Sequence, residues 1–109
     1  MRKGRKNQDI TLADGSPVTP GFDEIDPMTG QQKAYVVLSG VERDKGFVRP
    51  VRREYVHEKC GATTRMGLAI AETYARDPSF YGSTFCVGCG THYPVKEFLW
   101  DGTDIKVGT

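Results

Sequence analysis

The sequence predicts a small α+β domain in which two ligand-bearing loops flank one helix, with a few short antiparallel strands around them. Three observations carry that prediction. HEKCG (57–61) and CVGCG (86–90) each hold two metal-ligating side chains at the same spacing, and a glycine follows the second of each. Between the loops, Met66, Ala69, Ile70, Thr73 and Tyr74 recur on one face at helical spacing. Other apolar residues fall in short β-rich runs, KAYVVL (33–38) and VKEFLW (95–100), bounded by turn sequences.

The loops point to one tetrahedral zinc site, so each is read as a zinc knuckle. A C-x-x-C turn lets two side chains converge on one ion, and a glycine just after it permits left-handed backbone. Gly61 and Gly90 stand at that place, and Gly88 lies inside the second loop. The three cysteines of the chain, Cys60, Cys86 and Cys89, all belong to this set and cannot all be disulfide-paired. A sulfur-rich tetrahedral site selects zinc, so one structural Zn²⁺ is the expected cofactor. Two histidines compete for the fourth place. His57 completes the first loop symmetrically, whereas His92, close after Cys89, is the alternative fourth ligand. The histidine left over is expected on a strand near the site.

Zinc-dependent nucleobase deaminases present H-x-E followed by P-C-x-x-C. Here Glu58 adjoins His57 directly, Phe85 replaces the proline, and Cys60 would fill the coordination position a catalytic zinc keeps open. No phosphate-cradling glycine loop, serine–histidine–acid set or paired carboxylates is legible. The expectation is a protein with no catalytic residues, no enzymatic activity and no small-molecule substrate.

A chain of 109 residues with 38% hydrophobic content suits one domain with a modest core, for which a structural metal is a natural stabiliser. The formal net charge of +1 falls to zero once three thiolates and a dication are counted, so there is no global basic field. No apolar run approaches a membrane span, and no signal peptide is evident, so a reducing compartment is expected.

Taken in order, residues 1–30 read as an extended, weakly packed arm and 31–109 as the zinc-binding domain. MRKGRK (1–6) is either a solvated start or an arm that touches phosphates. Residues 9–26 carry Asp9, Asp14, Asp23, Glu24 and Asp26 without lysine or arginine; DGSP and DPMTG are turn sequences, and Ile10, Leu12, Phe22 and Ile25 are available for packing. KAYVVL is the first strand. Ser39 with Glu42 fits a capping box, opening a short helix that Gly46 ends. Phe47 to His57 reads as a second extended stretch with Pro50 at an edge. Arg43, Lys45, Arg49, Arg52 and Arg53, opposed only by Asp44, form the candidate binding surface; a solubilising edge is the plainer alternative. Thr63 or Thr64 should cap a helix running to about Asp77, where Pro78 ends it. Cys86 should follow on a short strand. In VKEFLW, Phe98 and Trp100 share one face; Trp100 reads as a core or knuckle-covering residue, with base stacking as the alternative. Asp101-Gly102 suggests a turn after which Ile105 and Val107 pair back.

From Gly46 to Thr109, the segments GFVRPVRREY, HEKCG, AETYARDPSFYG, TFCVGC and PVKEF, with the closing W-DGT and VGT, resemble small zinc-finger-like proteins of tailed bacteriophages and prophages with no assigned function. The resemblance covers a little over half the chain. It implies a phage or mobile-element origin and a zinc site at His57, Cys60, Cys86 and Cys89, and it carries no activity. The resulting expectation is a protein-interaction module, bound to a host factor or fixed in a virion. It would lie in the host cytoplasm or the particle and not be secreted. The alternative is a nucleic-acid-binding accessory protein that uses MRKGRK and the arginines of 43–53.

Overall fold

The computed structural model describes residues 9–109, so MRKGRK lies outside the described residues. In chain order the elements are β1 (Ile10–Leu12), β2 (Val36–Leu38), α1 (Gly40–Arg43), β3 (Glu54–His57), β4 (Thr63–Arg65), α2 (Leu68–Arg76), β5 (Ser83–Cys86), β6 (Thr91–Pro94) and β7 (Phe98–Trp100). They form three small antiparallel sheets, ordered β1-β2, β4-β3-β7 and β5-β6. Two helices among antiparallel strands make this an α+β fold.

Parts of the expected N-terminal arm are paired backbone. Ile10 lies opposite Leu38 and Leu12 opposite Val36, with Leu12 buried. Further bonds cross residue 30: Lys33 N–H donates to Glu24 O, Ala34 N–H to Phe22 O, and Ser39 N–H to Asp9 O. DGSP and DPMTG both turn, stabilised by Asp14 Oδ1 accepting from Ser16 N–H and Asp26 Oδ1 accepting from Met28 N–H. Ile25 stays exposed despite its apolar side chain.

Ser39 caps α1 by accepting from Glu42 N–H at 3.3 Å, half of the expected capping box. The extended stretch expected over 47–57 becomes a strand only from Glu54. Pro50 brings no donor, and the Val48 and Arg49 amides both bond the Ala75 carbonyl at the end of α2.

Thr63 and Thr64 do not cap a helix. They lie in β4, opposite Val56 and Tyr55, because the chain folds back on itself after His57 and β-branched residues suit the hairpin. The helix starts at Leu68 with Gly67 as its N-cap. Thr64 Oγ1 instead accepts from Val87 N–H, tying the first hairpin to the second loop. On α2, Ala71, Thr73, Tyr74 and Ala75 are buried. Thr73 Oγ1 donates to Ala69 O and accepts from Leu38 N–H, which fastens the N-terminal strand pair to the helix.

The VKEFLW strand is shorter than expected. Val95–Glu97 form a 3-10 turn, and only Phe98–Trp100 pair with β3. Phe98 and Trp100 are buried and Leu99 less so; Val107 packs back, its N–H bonding Phe98 O. The core gathers Tyr55, Met66, Tyr74, Phe98, Trp100 and Val107. Its rings meet edge to face, as aromatic quadrupoles favour: Tyr55–Phe98 at 5.3 Å and Tyr74–Trp100 at 5.5 Å. Trp100 is 6% exposed, so it offers no face to a base. Among the described residues, no helix is long and apolar enough to cross a membrane.

Candidate metal centre

Each loop is built the same way. His57 ends β3 and Cys86 ends β5. The chain then turns so that Gly61 N–H bonds His57 O at 2.7 Å and Gly90 N–H bonds Cys86 O at 2.8 Å. The turn needs left-handed backbone at Gly61 (φ +76°) and Gly90 (φ +70°), which a residue without Cβ supplies. The loops then face each other closely. A Cβ at Gly88 would come within 2.5 Å of the Ala62 Cβ and 3.4 Å of Cys60 Sγ.

One ligand atom from each of His57, Cys60, Cys86 and Cys89 lies within 4.8 Å of the others. Cys60 Sγ is 3.4 Å from Cys86 Sγ, and Cys89 Sγ is 3.6 Å from His57 Nδ1. Bond lengths of about 2.3 Å to sulfur and about 2.0 Å to nitrogen would give tetrahedral edges of about 3.8 Å between sulfurs and about 3.5 Å from sulfur to nitrogen. The four donors fit one metal ion, and the three cysteines are free thiols.

His57 is 2% exposed and held from three sides. Its ring stacks between Tyr93 at 4.7 Å and Phe98 at 4.6 Å. Nε2–H donates to Glu97 Oε1 at 2.9 Å, leaving the Nδ1 lone pair directed at the cysteine cluster. This carboxylate–histidine arrangement fixes the tautomer and raises the basicity of a metal-binding nitrogen. The Glu97 contact raises the His57 pKa above its ordinary value, and His57 in turn lowers that of Glu97. Lys59 also approaches Glu97, at 3.5 Å.

The thiols differ. Cys60 is pushed down to about 7, chiefly by the Ala62 amide pointing at its sulfur. Cys89 is pushed up to about 11, chiefly by burial of its sulfur and then by neighbouring Cys86 and Cys60. Without a cation, each thiolate discourages the next; a bound dication reverses that logic and holds all three deprotonated.

His92 sits elsewhere. It lies on β6 opposite Phe85, bonds Tyr35 Oη at 2.8 Å, and burial lowers its pKa. Glu58, the acid beside His57 in the chain, bonds Lys106 at the surface and takes no part in the cluster. Glu97, Tyr93 and Phe98 carried no local signal as site residues, because long-range pairing brings them in: β3 against β7, and β6 beside the loops.

The candidate binding surface divides. Arg43 pairs with Glu72 at 2.5 Å and Lys45 with Glu42 at 2.6 Å. Arg49 and Arg53 donate to main-chain oxygens of Thr109 and Met66. Arg52 lies between them, with exposed Phe47, Val48 and Val51 alongside.

No protein-family model matches the chain, nor does any curated protein or solved structure.

Proposed function

We propose that this protein is a non-enzymatic protein-interaction module whose fold is clamped by one structural zinc ion. The observation that carries the zinc reading is the closed set of one imidazole and three thiols, with His57 oriented by Glu97. Three sulfurs with one nitrogen favour zinc, and four protein donors leave no open place for a water nucleophile. In this reading HEKCG and CVGCG are zinc knuckles, and the resemblance of residues 46–109 to phage zinc-finger-like proteins supports a phage or prophage origin. A host factor or another virion protein would then be the partner, in a reducing compartment that keeps the thiols free. The exposed Phe47, Val48 and Val51 support the interaction role, since such side chains beside arginines resemble the composition of interfaces.

A nucleic-acid role is the second reading, favoured by Arg49, Arg52 and Arg53. Three phosphate contacts give a log K against log salt slope of about −2.7, or about a 40-fold loss of affinity between 50 and 200 mM salt. Fluorescence anisotropy of zinc-loaded protein with labelled DNA and RNA separates the readings. The interaction module shows no such binding, whereas saturable binding with that slope, abolished by replacing the three arginines, would install the second reading.

A further inference from the structure

A cavity of about 270 Å³ opens between the segment carrying Gln31 and Tyr35, strands β3, β4 and β5, and helix α2. Its walls are largely the rings of Tyr35, Tyr55, Tyr74, Tyr81 and Phe85. The hydroxyls of three of these are committed to the protein: Tyr55 donates to Phe85 O, Tyr81 donates to Val36 O, and Tyr35 bonds His92. The interior therefore offers ring surface and few uncommitted polar groups. Among the described residues no acidic side chain lines it; Arg65, Gln31, Ser83, Thr64 and Thr84 contribute the polar lining, and of these the Thr64 hydroxyl accepts from Val87 N–H and the Thr84 hydroxyl donates to Tyr55 Oη.

Gly67 forms part of this lining without any backbone need to be glycine. Its φ is −64°, and a Cβ built there meets no atom within 4 Å. Serine, aspartate or asparagine would cap α2 better. What the missing side chain leaves is space at the pocket wall.

Resting on the interaction reading above, we infer that this pocket seats one aromatic side chain of a partner polypeptide, with an acidic neighbour of that side chain reaching Arg65. The volume lies below the usual range for small-molecule sites, about 300 to 1,000 Å³, and suits one ring better than a whole cofactor. A nucleobase would bury several polar edge atoms where the hydroxyls of Tyr35, Tyr55, Tyr81, Thr64 and Thr84 are already bonded and only Arg65, Gln31 and Ser83 remain to meet them, whereas an indole brings a single N–H. Arg65 is available to an incoming acid because its pair with Glu54, at 3.4 Å, is solvent-exposed and weak.

The test is an NMR titration of the full, zinc-loaded chain with N-acetyl-Trp-Asp-amide, N-acetyl-Trp-Lys-amide and adenosine monophosphate. The aspartyl peptide is expected to give saturable shifts at Met66, Gly67 and Ile70, and contacts between indole protons and the Tyr35 and Tyr81 rings. Its lysyl counterpart should bind several-fold more weakly, and Gly67→Phe should lower affinity at least tenfold with unchanged zinc content. Ring-to-indole contacts in the unmodified protein decide the matter if that variant folds poorly. Absence of saturable shifts, tighter binding of adenosine monophosphate, or full binding by Gly67→Phe overturns the pocket while leaving the interaction reading standing. Salt-steep DNA binding would overturn that reading and leave the pocket result untouched.

Discussion

Glu97 is the residue on which the behaviour of His57 turns. Its carboxylate holds Nε2–H and leaves Nδ1 for the metal, so Glu97→Gln should lower zinc affinity about 10- to 100-fold. A chelator-competition titration checks this, and a change below twofold would reduce Glu97 to a surface pair. His57→Ala should lower affinity far more than His92→Ala, since His92 bonds Tyr35 and lies outside the cluster. Proton linkage follows from the thiols. Cys89 sits near 11 without metal and must be thiolate to bind it, so zinc binding at neutral pH should release at least one proton. The sign is that affinity falls as pH falls, because protons then compete for the sulfurs and for His57. Calorimetry in buffers of different ionisation enthalpy measures the release. The four clustered side chains were legible because chemistry dictates the spacing of candidate ligands within each loop. Glu97, Tyr93 and Phe98 were not, because nothing local in VKEFLW announces that His57 lies opposite Phe98.

Among the elements, the first hairpin departed most from expectation, and the pairing of β1 with β2 was not foreseen. β1 and β2 are three residues each and far apart in sequence, so neither carries enough alternation to announce its partner. Thr63 and Thr64 suit a helix cap and a strand equally well as residue types; the backward turn after His57 decides for the strand. What docks the N-terminal layer on the second loop is Gly30, which has φ +80° and would place a Cβ 1.8 Å from Gly90 O. Left-handed backbone alone costs alanine about 1–2 kcal/mol. Gly15 provides the control, with φ +91° and open space around its Cβ position. Chemical denaturation should therefore show Gly30→Ala losing clearly more stability than Gly15→Ala. Equal losses would mean that the contact between Gly30 and the second loop contributes nothing.

At the scale of the whole molecule, three sheets of two or three short strands share one modest core. A two-stranded hairpin is marginal alone in water, and the two loops meet where His57, Cys60, Cys86 and Cys89 cluster. Binding free energy for structural zinc is also folding free energy. Chelation should thus abolish cooperative unfolding of the 54–100 region, followed by near-UV circular dichroism, and zinc should restore it. The α+β class was legible at this scale because the loops, the helical stripe and the short β-rich runs agree with one another. How the N-terminal strands attach was not, since that depends on Thr73 meeting Leu38 across the fold.

In the proposed reading, one zinc ion is bound by three sulfurs and one imidazole. Zinc K-edge X-ray absorption on the protein as purified tests it most directly. One zinc per chain is expected, with three sulfurs at about 2.3 Å and one nitrogen at about 2.0 Å. A shell containing a water oxygen or fewer than three sulfurs, or metal-free protein with Cys60 and Cys86 joined as a disulfide, would contradict it.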